Sequence, residues 1–312
     1  MSTSTPRPVV AVVGTTASGK SALAHDVAKS LGSVALATVD SMTVYRGMDI
    51  GTAKPTQIER AEVPYFLLDL VDPGDEFTVA QFQRAALEAV AESARDGRSL
   101  MYVGGTGLYG RAVIDNLTLP GQYLDVRREL ETRLAVGIDS LYEELRRRDP
   151  LAASRIEPSN QRRVVRALEV TIGSGRPFSS FGPGLESYPP TPVRQVALRV
   201  PLEEIDRRIE NRMSAWMAEG FLQEVDGLRS RPTGLSRTTR QAVGYRELLA
   251  HLEGELSLEE ALTRALTATK RLARRQRAWF QRDPRVEWFD DVEAARSRVV
   301  ALVTETSVDV GN

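Results

Sequence analysis

Short apolar runs recur along the chain, and the intervals between them are long enough to hold helices. Val9–Val13, Val34–Val39 and Leu100–Val103 are nearly unbroken apolar runs, which is typical of strands that are buried on both faces. Val193–Val200 alternates apolar and polar positions and predicts a further strand that returns to the same sheet. Strands that are separated by helical segments predict a parallel α/β sheet flanked by helices.

Helical spacing and capping signals mark two helices between the first three strands. Ala22–Leu31 has helical spacing and is followed by Gly32, a residue type that commonly ends helices. Thr78 and Gln81 form a capping box, which opens a helix that we expect to end near Gly97. Each helix lies between two predicted strands, as a parallel sheet requires.

The character of the sequence changes after the third strand. Residues 122–180 are highly charged, poor in strand signals and helical in spacing, and Gly, Pro and Ser cluster at 173–192. We therefore predict a first part of the core at 1–119 and a helical insertion subdomain at 120–190. The second part of the core is predicted at 191–312, with an arginine-rich helix toward the C-terminus.

A helix is predicted directly after the strand at 193–200. Its apolar residues share one stripe: Ile205, Ile209, Met213 and Trp216. Arg208 and Arg212 lie one turn apart beside this stripe. A pair of arginines is compatible with a solvated helix face, but a helix after a late strand can also supply arginines that bind phosphate. The pattern leaves both interpretations open.

The segment Ser257–Arg282 predicts a helix of about seven turns that opens with a capping box. At about 100° per residue, one side gathers Leu262, Leu266, Thr269, Ala273 and Phe280. The other side gathers Arg271, Arg275 and Arg282, with Arg274 and Trp279 beside them. Solvated helix faces normally mix both signs of charge. A column of arginines beside an aromatic residue therefore favours contact with RNA over a purely solvated face.

Composition narrows the classes of protein that fit. The chain has 312 residues, a formal net charge of −1 and no cysteine, so disulfides are excluded and any RNA-binding surface must be local. The two histidines, His25 and His251, are far apart and have no metal-ligand spacing. The first eight residues are polar, and no run reaches the length of a membrane span. We therefore expect a cytoplasmic protein without a membrane anchor.

The residues after the first strand carry the clearest chemical signal. They fit the Gly-x-x-x-x-Gly-Lys-Ser pattern of a phosphate-binding loop: Gly14, Thr15, Thr16, Ala17, Ser18, Gly19, Lys20 and Ser21. Glycines let backbone N–H groups surround an anion, and the following helix adds its positive end. We expect Lys20 on the terminal phosphates and the Ser21 hydroxyl on Mg²⁺. The predicted fold is α/β, a P-loop NTPase-like parallel sheet flanked by helices, with a mostly helical insertion subdomain.

Two other strand ends should lie at the same edge of the sheet as this loop. Asp40 follows the second strand, one strand along from the loop, and the glycine-rich turn Gly104–Tyr109 follows the third. Motor-type ATPases normally carry a second carboxylate at the end of a strand, where this turn has glycines. The arrangement favours transfer of a group to an acceptor that faces Asp40. A small-molecule kinase and a non-catalytic RNA-binding NTP switch stay open as alternatives.

Six motifs, in this order, resemble those of the tRNA dimethylallyltransferases, which are also called tRNA isopentenyltransferases or IPP transferases. They are Gly14–Ser21, Asp40–Tyr45, Arg46–Pro55, Gly104–Tyr109, Gln161–Arg163 and Val243–Glu247. The resemblance covers about residues 9–290. Asp40–Pro55 is its most diagnostic part, because many families share a phosphate loop.

The resemblance implies transfer of a dimethylallyl group from dimethylallyl diphosphate to the exocyclic N6 of adenosine 37 in tRNA, next to the anticodon. The phosphate loop would then hold a diphosphate leaving group instead of ATP, with Mg²⁺ as cofactor. The implied partners are the tRNA anticodon stem-loop and dimethylallyl diphosphate, and the implied state is a monomer. An adenine-nucleotide isopentenyltransferase is the closest alternative, but the 120–190 segment and the arginine column favour tRNA.

The resemblance also assigns roles to residues. Asp40 would orient the amine and accept its proton, while Lys20 and Arg212 would stabilise the leaving diphosphate. The residues implied in tRNA binding are Asp40, Ser41, Met42, Thr43, Thr106, Arg127, Gln161, Arg162, Arg163, Val164, Val165, Arg240, Gly244, Tyr245, Arg246, Arg274, Arg275, Gln276, Arg277, Trp279 and Gln281. Two positions depart from the family pattern: Thr15, where proline is usual, and Thr43, where glutamine is common. Lys54 has no assigned role.

Overall fold

The structure is a computed structural model, and it describes residues 10–182 and 184–308. The polar tail of eight residues and Val9, with which the first predicted strand begins, lie outside the described residues. The chain divides into two compact units. The smaller unit is Asn116–Pro189, and the larger unit combines the residues that precede and follow it.

Parallel strands form the sheet of the larger unit. In the described part of the chain there are six: β1 (Val10–Val13), β2 (Val34–Val39), β3 (Tyr65–Phe66), β4 (Ser99–Gly104), β5 (Arg194–Leu198) and β6 (Val286–Phe289). Their order is β3-β2-β4-β1-β5-β6, and every neighbouring pair is parallel. In this register Val12 lies opposite Val103 of β4 and Val196 of β5. The predicted α/β fold with a parallel sheet is confirmed.

The strand order differs from expectation in one respect that matters for function. β4 lies between β1 and β2, so Asp40 is two strands away from the phosphate loop, and the prediction of one strand is wrong. Crossover connections allow a later strand to insert between two earlier ones, which chain order alone does not reveal. The glycine-rich turn after β4 therefore lies between the loop and Asp40 at the carboxyl edge of the sheet.

The alternation of polar residues in β5 does not reflect an exposed face. This strand is buried from Gln195 to Leu198. The Gln195 amide donates a hydrogen bond to Asp283 Oδ2 at 3.3 Å, which compensates for burying a polar side chain. β5 joins the main sheet between β1 and β6, as predicted.

Between residue 10 and the smaller unit there are four helices: α1 (Lys20–Leu31), α2 (Gln57–Glu62), α3 (Val79–Arg95) and α4 (Gly107–Ile114). α1 ends at Gly32, as predicted, and the φ of 68° at Gly32 lies in the left-handed region that glycine favours. The capping box of Thr78 and Gln81 at the start of α3 is confirmed, with both of its hydrogen bonds formed.

The smaller unit is helical in its described residues, as predicted for 122–180. Its helices are α5 (Leu124–Leu134), α6 (Asp139–Arg148), α7 (Pro150–Arg155) and α8 (Gln161–Ser174), followed by a short 3-10 turn at Phe178–Ser180. Its apolar core includes Leu130, Leu141, Leu145, Val164, Val165 and Leu168. Glu169 is buried beside this core, and it accepts the Tyr123 N–H and pairs with Arg127 and Arg166.

The remaining helices of the larger unit follow β5. They are α9 (Leu202–Glu219), α10 (Phe221–Arg229), α11 (Arg237–Arg240), α12 (Tyr245–Leu252), α13 (Leu258–Gln281) and α14 (Val292–Val308). α13 is the arginine-rich helix and begins with the predicted capping box. The prediction for this end of the core was incomplete, because β6 and α14 follow α13.

Helices cover both faces of the sheet. On one face, Leu23 of α1 and Val299 of α14 belong to the same apolar cluster as Val12. On the other face, Phe82 of α3 packs in a cluster that extends to Phe221. Within the described ranges, no helix combines the length and the apolar character needed to cross a bilayer. Because helices cover both faces of the sheet, a ligand site is expected at the loops that follow the strand ends.

Candidate active site

The phosphate loop connects β1 to α1 and has backbone angles that few residues allow. Gly14 and Gly19 have φ values of 138° and 95°, in the region that favours glycine. Ala17 also has a positive φ, 61°, and such a conformation costs about 1–3 kcal/mol in a residue other than glycine. Strain of this kind persists where the surrounding structure holds a loop in a functional shape.

Lys20, the first residue of α1, turns back over the loop. Its Nζ donates a hydrogen bond to the Thr15 carbonyl oxygen at 3.0 Å. The pKa of Lys20 is lowered to about 8, mainly by burial and also by the positive charge of Arg212, while the negative charge of Asp40 opposes this shift. Lys20, Arg212 and Asp40 are therefore close enough to interact electrostatically.

Two arginines of α9 contact the phosphate loop. Arg212 Nη2 donates to Thr16 Oγ1 at 2.7 Å, and its guanidinium carbon lies 4.7 Å from the ring centroid of Trp216. Burial lowers the pKa of Arg212 to about 10, which leaves the side chain charged at neutral pH. Arg208 Nη1 donates to two loop carbonyl oxygens at 3.3 and 3.4 Å. Both members of the arginine pair therefore reach the loop.

Two polar atoms of this site are buried without a hydrogen-bond partner among the described residues: Ser18 Oγ and Arg212 Nε. Unpaired buried polar atoms are rare, and the oxygens of a diphosphate would accept hydrogen bonds from both.

No group of three or more His, Cys, Asp or Glu side chains in residues 10–182 and 184–308 could hold a metal ion alone. Mg²⁺ commonly takes few protein ligands together with phosphate oxygens and water, and Ser21 supplies a hydroxyl in the first turn of α1. These donors fit an ion that binds together with a diphosphate.

Asp40 lies at the end of β2, and both of its carboxylate oxygens have partners. Oδ1 accepts the backbone N–H of Met42 at 2.7 Å, and Oδ2 accepts the hydroxyl of Thr106 at 3.0 Å. Thr106 directly precedes α4, in the glycine-rich turn after β4. The carboxylate is thus held in one orientation at the sheet edge that also carries the phosphate loop. A carboxylate held in this way can orient a nucleophile and accept its proton.

One carboxylate on α10 fixes part of the most diagnostic segment of the chain. Glu224 accepts hydrogen bonds at 2.9, 2.7 and 3.3 Å from three successive backbone N–H groups, those of Asp49, Ile50 and Gly51. The Tyr245 hydroxyl donates to the same carboxylate at 2.6 Å. Sequence reasoning missed Glu224, because no periodicity or motif indicates that a carboxylate on one helix will bind the backbone of a distant loop.

Lys54 lies in the same segment and has a structural role. Its buried Nζ donates to the Tyr45 carbonyl oxygen at 2.7 Å and pairs with Asp49 and Asp69 at 2.7 and 2.5 Å. Although burial opposes ionisation, hydrogen bonds from Lys54 and Arg60 lower the pKa of Asp69. Lys54 therefore holds the backbone of this segment in place.

The other residues of the Asp40–Thr43 segment are partly accessible. Ser41 and Met42 are half-buried, whereas Thr43 is buried and its hydroxyl lies 3.5 Å from that of Thr38. At the start of α12, Gly244 is also buried. The structure therefore places Ser41 and Met42 where a ligand could reach them, but not the Thr43 side chain.

The arginines predicted to bind tRNA near α12 are exposed and have acidic partners. Arg240 pairs with Glu253 at 2.6 Å, and Arg246 pairs with Glu247. The Arg240–Glu253 pair lies at the surface, where such pairs contribute about 1 kcal/mol or less, so a phosphate can compete for this guanidinium group, whereas Glu247 is buried. Tyr245, in contrast, is buried, with its hydroxyl on the α10 carboxylate.

The predicted RNA-binding residues of α13 point in different directions. Arg274 forms a two-pronged pair with Asp206 at 2.8 and 3.1 Å, and Arg277 donates to the Val200 carbonyl oxygen at 3.4 Å. The exposed residues here include Arg271, Arg274, Arg275, Gln281 and Arg282. Gln276 and Trp279 instead contact the loops at the sheet edge. The predicted arginine column of Arg271, Arg275 and Arg282 is therefore exposed, and Arg274 beside it is exposed but paired.

In the smaller unit, the predicted RNA-binding residues are divided between surface and core. Gln161, Arg162 and Arg163 are exposed in the first turn of α8. Arg127 is half-buried and pairs with Glu131 at 3.0 Å and Glu169 at 3.3 Å. The remaining two, Val164 and Val165, are buried in the apolar core of the unit, where their side chains contribute to packing.

Comparison with known sequences gives a consistent result. A sequence profile of the family described as IPP transferase matches residues 43–283. A tRNA dimethylallyltransferase of a Nocardioides species is 46% identical to this chain over 302 residues, which cover 96% of each protein. The tRNA dimethylallyltransferase of Streptomyces coelicolor is 44% identical and covers 97% of this chain and 96% of its own length.

Solved structures agree with the sequence comparison. The full-length tRNA isopentenylpyrophosphate transferase of Bacillus halodurans is 34% identical, with a TM-score of 0.69, and covers 98% of this chain and 100% of its own. A eukaryotic dimethylallyltransferase acting on tRNA has the same fold, with a TM-score of 0.77 at 24% identity. That alignment covers 97% of this chain and 80% of the eukaryotic one.

Proposed function

Because this chain belongs to the IPP transferase family, we propose that it transfers a dimethylallyl group from dimethylallyl diphosphate to N6 of adenosine 37 in tRNA. It is a prenyltransferase that modifies tRNA, as its relatives are. We also propose that it works as a monomer in the cytoplasm, where tRNA is available as substrate.

The observation that carries the proposal is the position of Asp40 relative to the phosphate loop. The carboxylate is held by Thr106 at the same sheet edge where Lys20 and Arg212 contact the loop, and its charge acts on Lys20. A site that only bound a nucleotide would have no need of a carboxylate oriented in this way, and a motor-type ATPase would carry its carboxylate at the end of β4, where this chain has glycines. A group transfer has that need, because the acceptor must lose a proton.

The leaving group explains why positively charged side chains lie on the phosphate loop. When the allylic C–O bond breaks, negative charge develops on the diphosphate, and fixed positive charges in a water-poor site stabilise it strongly. Lys20 and Arg212 are both charged at neutral pH and lie on the loop. The backbone N–H groups of the loop and the N-terminal end of α1 add to this stabilisation.

The nucleophile explains why the site also contains a carboxylate, that of Asp40. The exocyclic N6 of adenosine is a weak nucleophile, because its lone pair is conjugated with the ring. In the proposed reaction N6 bonds to the allylic carbon, the C–O bond to the diphosphate breaks, and Asp40 accepts the proton that N6 releases. Thr106 and the Met42 N–H keep the carboxylate in the orientation that this transfer requires.

We also propose Mg²⁺ as the cofactor, held by the Ser21 hydroxyl together with oxygens of the diphosphate. When bound, the ion would neutralise charge that develops on the diphosphate. The unpaired Ser18 hydroxyl in the same loop supports the presence of a further polar ligand at this position. Lys20 and Arg212 remain the residues of the chain that bind the diphosphate directly.

The exposed arginines of α13 support a tRNA partner. Arg271, Arg275 and Arg282 are exposed guanidinium groups on one helix, a pattern suited to the phosphates of a folded RNA. In the smaller unit, Gln161, Arg162 and Arg163 offer a second polar surface. We propose that each of these surfaces contacts the tRNA.

The proposal is tested by mass spectrometry of tRNA nucleosides. The protein is incubated with Mg²⁺, dimethylallyl diphosphate and unmodified tRNA, and in parallel with AMP in place of tRNA. We expect an adenosine heavier by one isopentenyl unit in tRNA and no product from AMP. Product from AMP alone would indicate a nucleotide prenyltransferase, and ATP consumption with an added small-molecule acceptor would indicate a kinase.

A further inference from the structure

One side chain of α13 contacts both loops that build the site. Gln276 Oε1 accepts the backbone N–H of Thr16 in the phosphate loop at 2.8 Å. The same amide lies against the glycine-rich turn, since a Cβ added to Gly105 would be only 2.6 Å from Gln276 Nε2. Gln276 was expected among the residues that bind tRNA, but its amide is directed at the sheet edge.

The hydrogen bond to Thr16 orients a peptide group that Lys20 also uses. The Thr16 N–H and the Thr15 carbonyl belong to one planar trans peptide, so they point in opposite directions. Gln276 binds the N–H on one side, and Lys20 Nζ binds the carbonyl oxygen on the other at 3.0 Å. The orientation of this peptide therefore determines where the carbonyl holds the Lys20 ammonium group.

The contact with Gly105 acts on the other side of the reaction. Gly105 is followed by Thr106, whose hydroxyl holds Asp40 at 3.0 Å. One turn further along α13, Trp279 occupies the space where a Cβ of Gly107 would lie, at 2.3 Å. α13 therefore packs against the turn on both sides of Thr106, and glycine at these two positions makes the close approach possible.

We infer that Gln276 is a positioning residue that aims Lys20 at the leaving diphosphate and holds the turn that carries the partner of Asp40. One side chain on α13 thus sets the spacing between the leaving group and the base. This inference rests on the proposed function. It gives Gln276 a role different from that of the arginines of the same helix, which are proposed to bind tRNA. Reaction rates fall steeply when reacting groups are displaced by even about 1 Å, so such a residue affects turnover without touching substrate.

The test replaces Gln276 by methionine, which is similar in size but cannot accept the Thr16 N–H. We expect kcat to fall about ten- to a hundredfold, because a buried N–H loses its partner and the loop shifts. We also expect weaker binding of Mg²⁺-pyrophosphate in calorimetry and unchanged affinity for tRNA. A merely structural role would lower the melting temperature and leave the pyrophosphate affinity unchanged.

Two further variants keep the test decisive. Gln276→Asn retains the amide but is one methylene too short, so we expect it to fold and to show the same losses. Gln223→Met, at an exposed position of α10, is the matched control and should behave as wild type. Wild-type kcat and pyrophosphate affinity in both Gln276 variants would overturn the inference, as would a loss confined to tRNA affinity. If wild type transferred no prenyl group, the proposed function would fail, whereas the pyrophosphate comparison would still decide the role of Gln276.

Discussion

Lys20 is a half-buried cation whose charge is not fixed across the usual pH range. Burial and the neighbouring Arg212 disfavour its ammonium form, and Asp40 favours it. The Thr15 carbonyl is its single hydrogen-bond acceptor among the described residues. A bound diphosphate would supply the negative charge that the site lacks. Without a bound diphosphate, the positive charges of the site therefore lack a full complement of negative charge.

This imbalance predicts a specific pH dependence. The pKa of Lys20 is about 8 in the free protein, so the ammonium is present below pH 8 and is lost as the pH rises through that value. We expect kcat/KM for dimethylallyl diphosphate to fall above about pH 8. Bound diphosphate favours the cation, so the corresponding limb of kcat should lie at higher pH. The two profiles are measured at saturating tRNA.

Arginine at this position is the matched variant. The guanidinium of Lys20→Arg stays charged throughout the range, so its residual activity should show no loss between pH 7 and 9.5. An identical alkaline limb in wild type and Lys20→Arg would mean that another group titrates.

At the scale of elements, the segment after β2 depends on α10. Glu224 satisfies three successive N–H groups of this segment, and Gly51 is packed so closely that a Cβ would lie 2.2 Å from the Phe221 ring. This segment follows Asp40, Ser41 and Met42 in the chain. Its shape is therefore set by a helix that is distant in sequence.

Replacement of Glu224 by leucine should destabilise the protein by about 1–3 kcal/mol, because three N–H groups and a tyrosine hydroxyl lose their common acceptor. Denaturant unfolding measures the effect, and prenyl transfer should fall with it. Glu219→Leu, at the exposed end of α9, is the matched control. Equal unfolding free energies for the two variants would show that the Glu224 contacts add nothing.

The face of α13 that carries Arg271, Arg275 and Arg282 allows a second prediction at this scale. Each arginine that binds an RNA phosphate contributes about 0.7–0.9 to the slope of log K against log salt concentration. Substitution of any one by glutamine should lower the slope by about that amount. Arg95→Gln, exposed on α3, removes the same charge elsewhere and should leave the slope unchanged. Equal effects of all four variants would indicate a dependence on net charge alone.

At the scale of the whole molecule, features written locally in the chain were predictable and long-range pairings were not. The strands β1, β2 and β4, the capping boxes and the phosphate loop follow from patterns of neighbouring residues. The place of β4 between β1 and β2 depends on a crossover that no local pattern encodes. The edge strand β6 was missed for a similar reason, since its short apolar signal becomes meaningful only beside β5. The helix α14, which follows β6, was missed with it.

The candidate site divides in the same way. Lys20, Asp40 and Arg212 could be named from motifs, and the structure brings them together. Glu224 and the role of Gln276 could not be found, because each acts through hydrogen bonds to backbone groups far away in sequence. Every residue type except proline provides the same backbone N–H, so such contacts have no sequence signature.

In the proposed reaction, Asp40 accepts the N6 proton while the phosphate loop holds the leaving diphosphate. The most direct measurement is the single-turnover rate of prenyl transfer by wild type and Asp40→Asn, at saturating tRNA and dimethylallyl diphosphate. Asparagine keeps the shape and can still accept the Thr106 hydroxyl, but it cannot take up the proton. We predict a rate lower by about 10²- to 10⁴-fold with unchanged tRNA affinity. Transfer by Asp40→Asn at the wild-type rate would contradict the account.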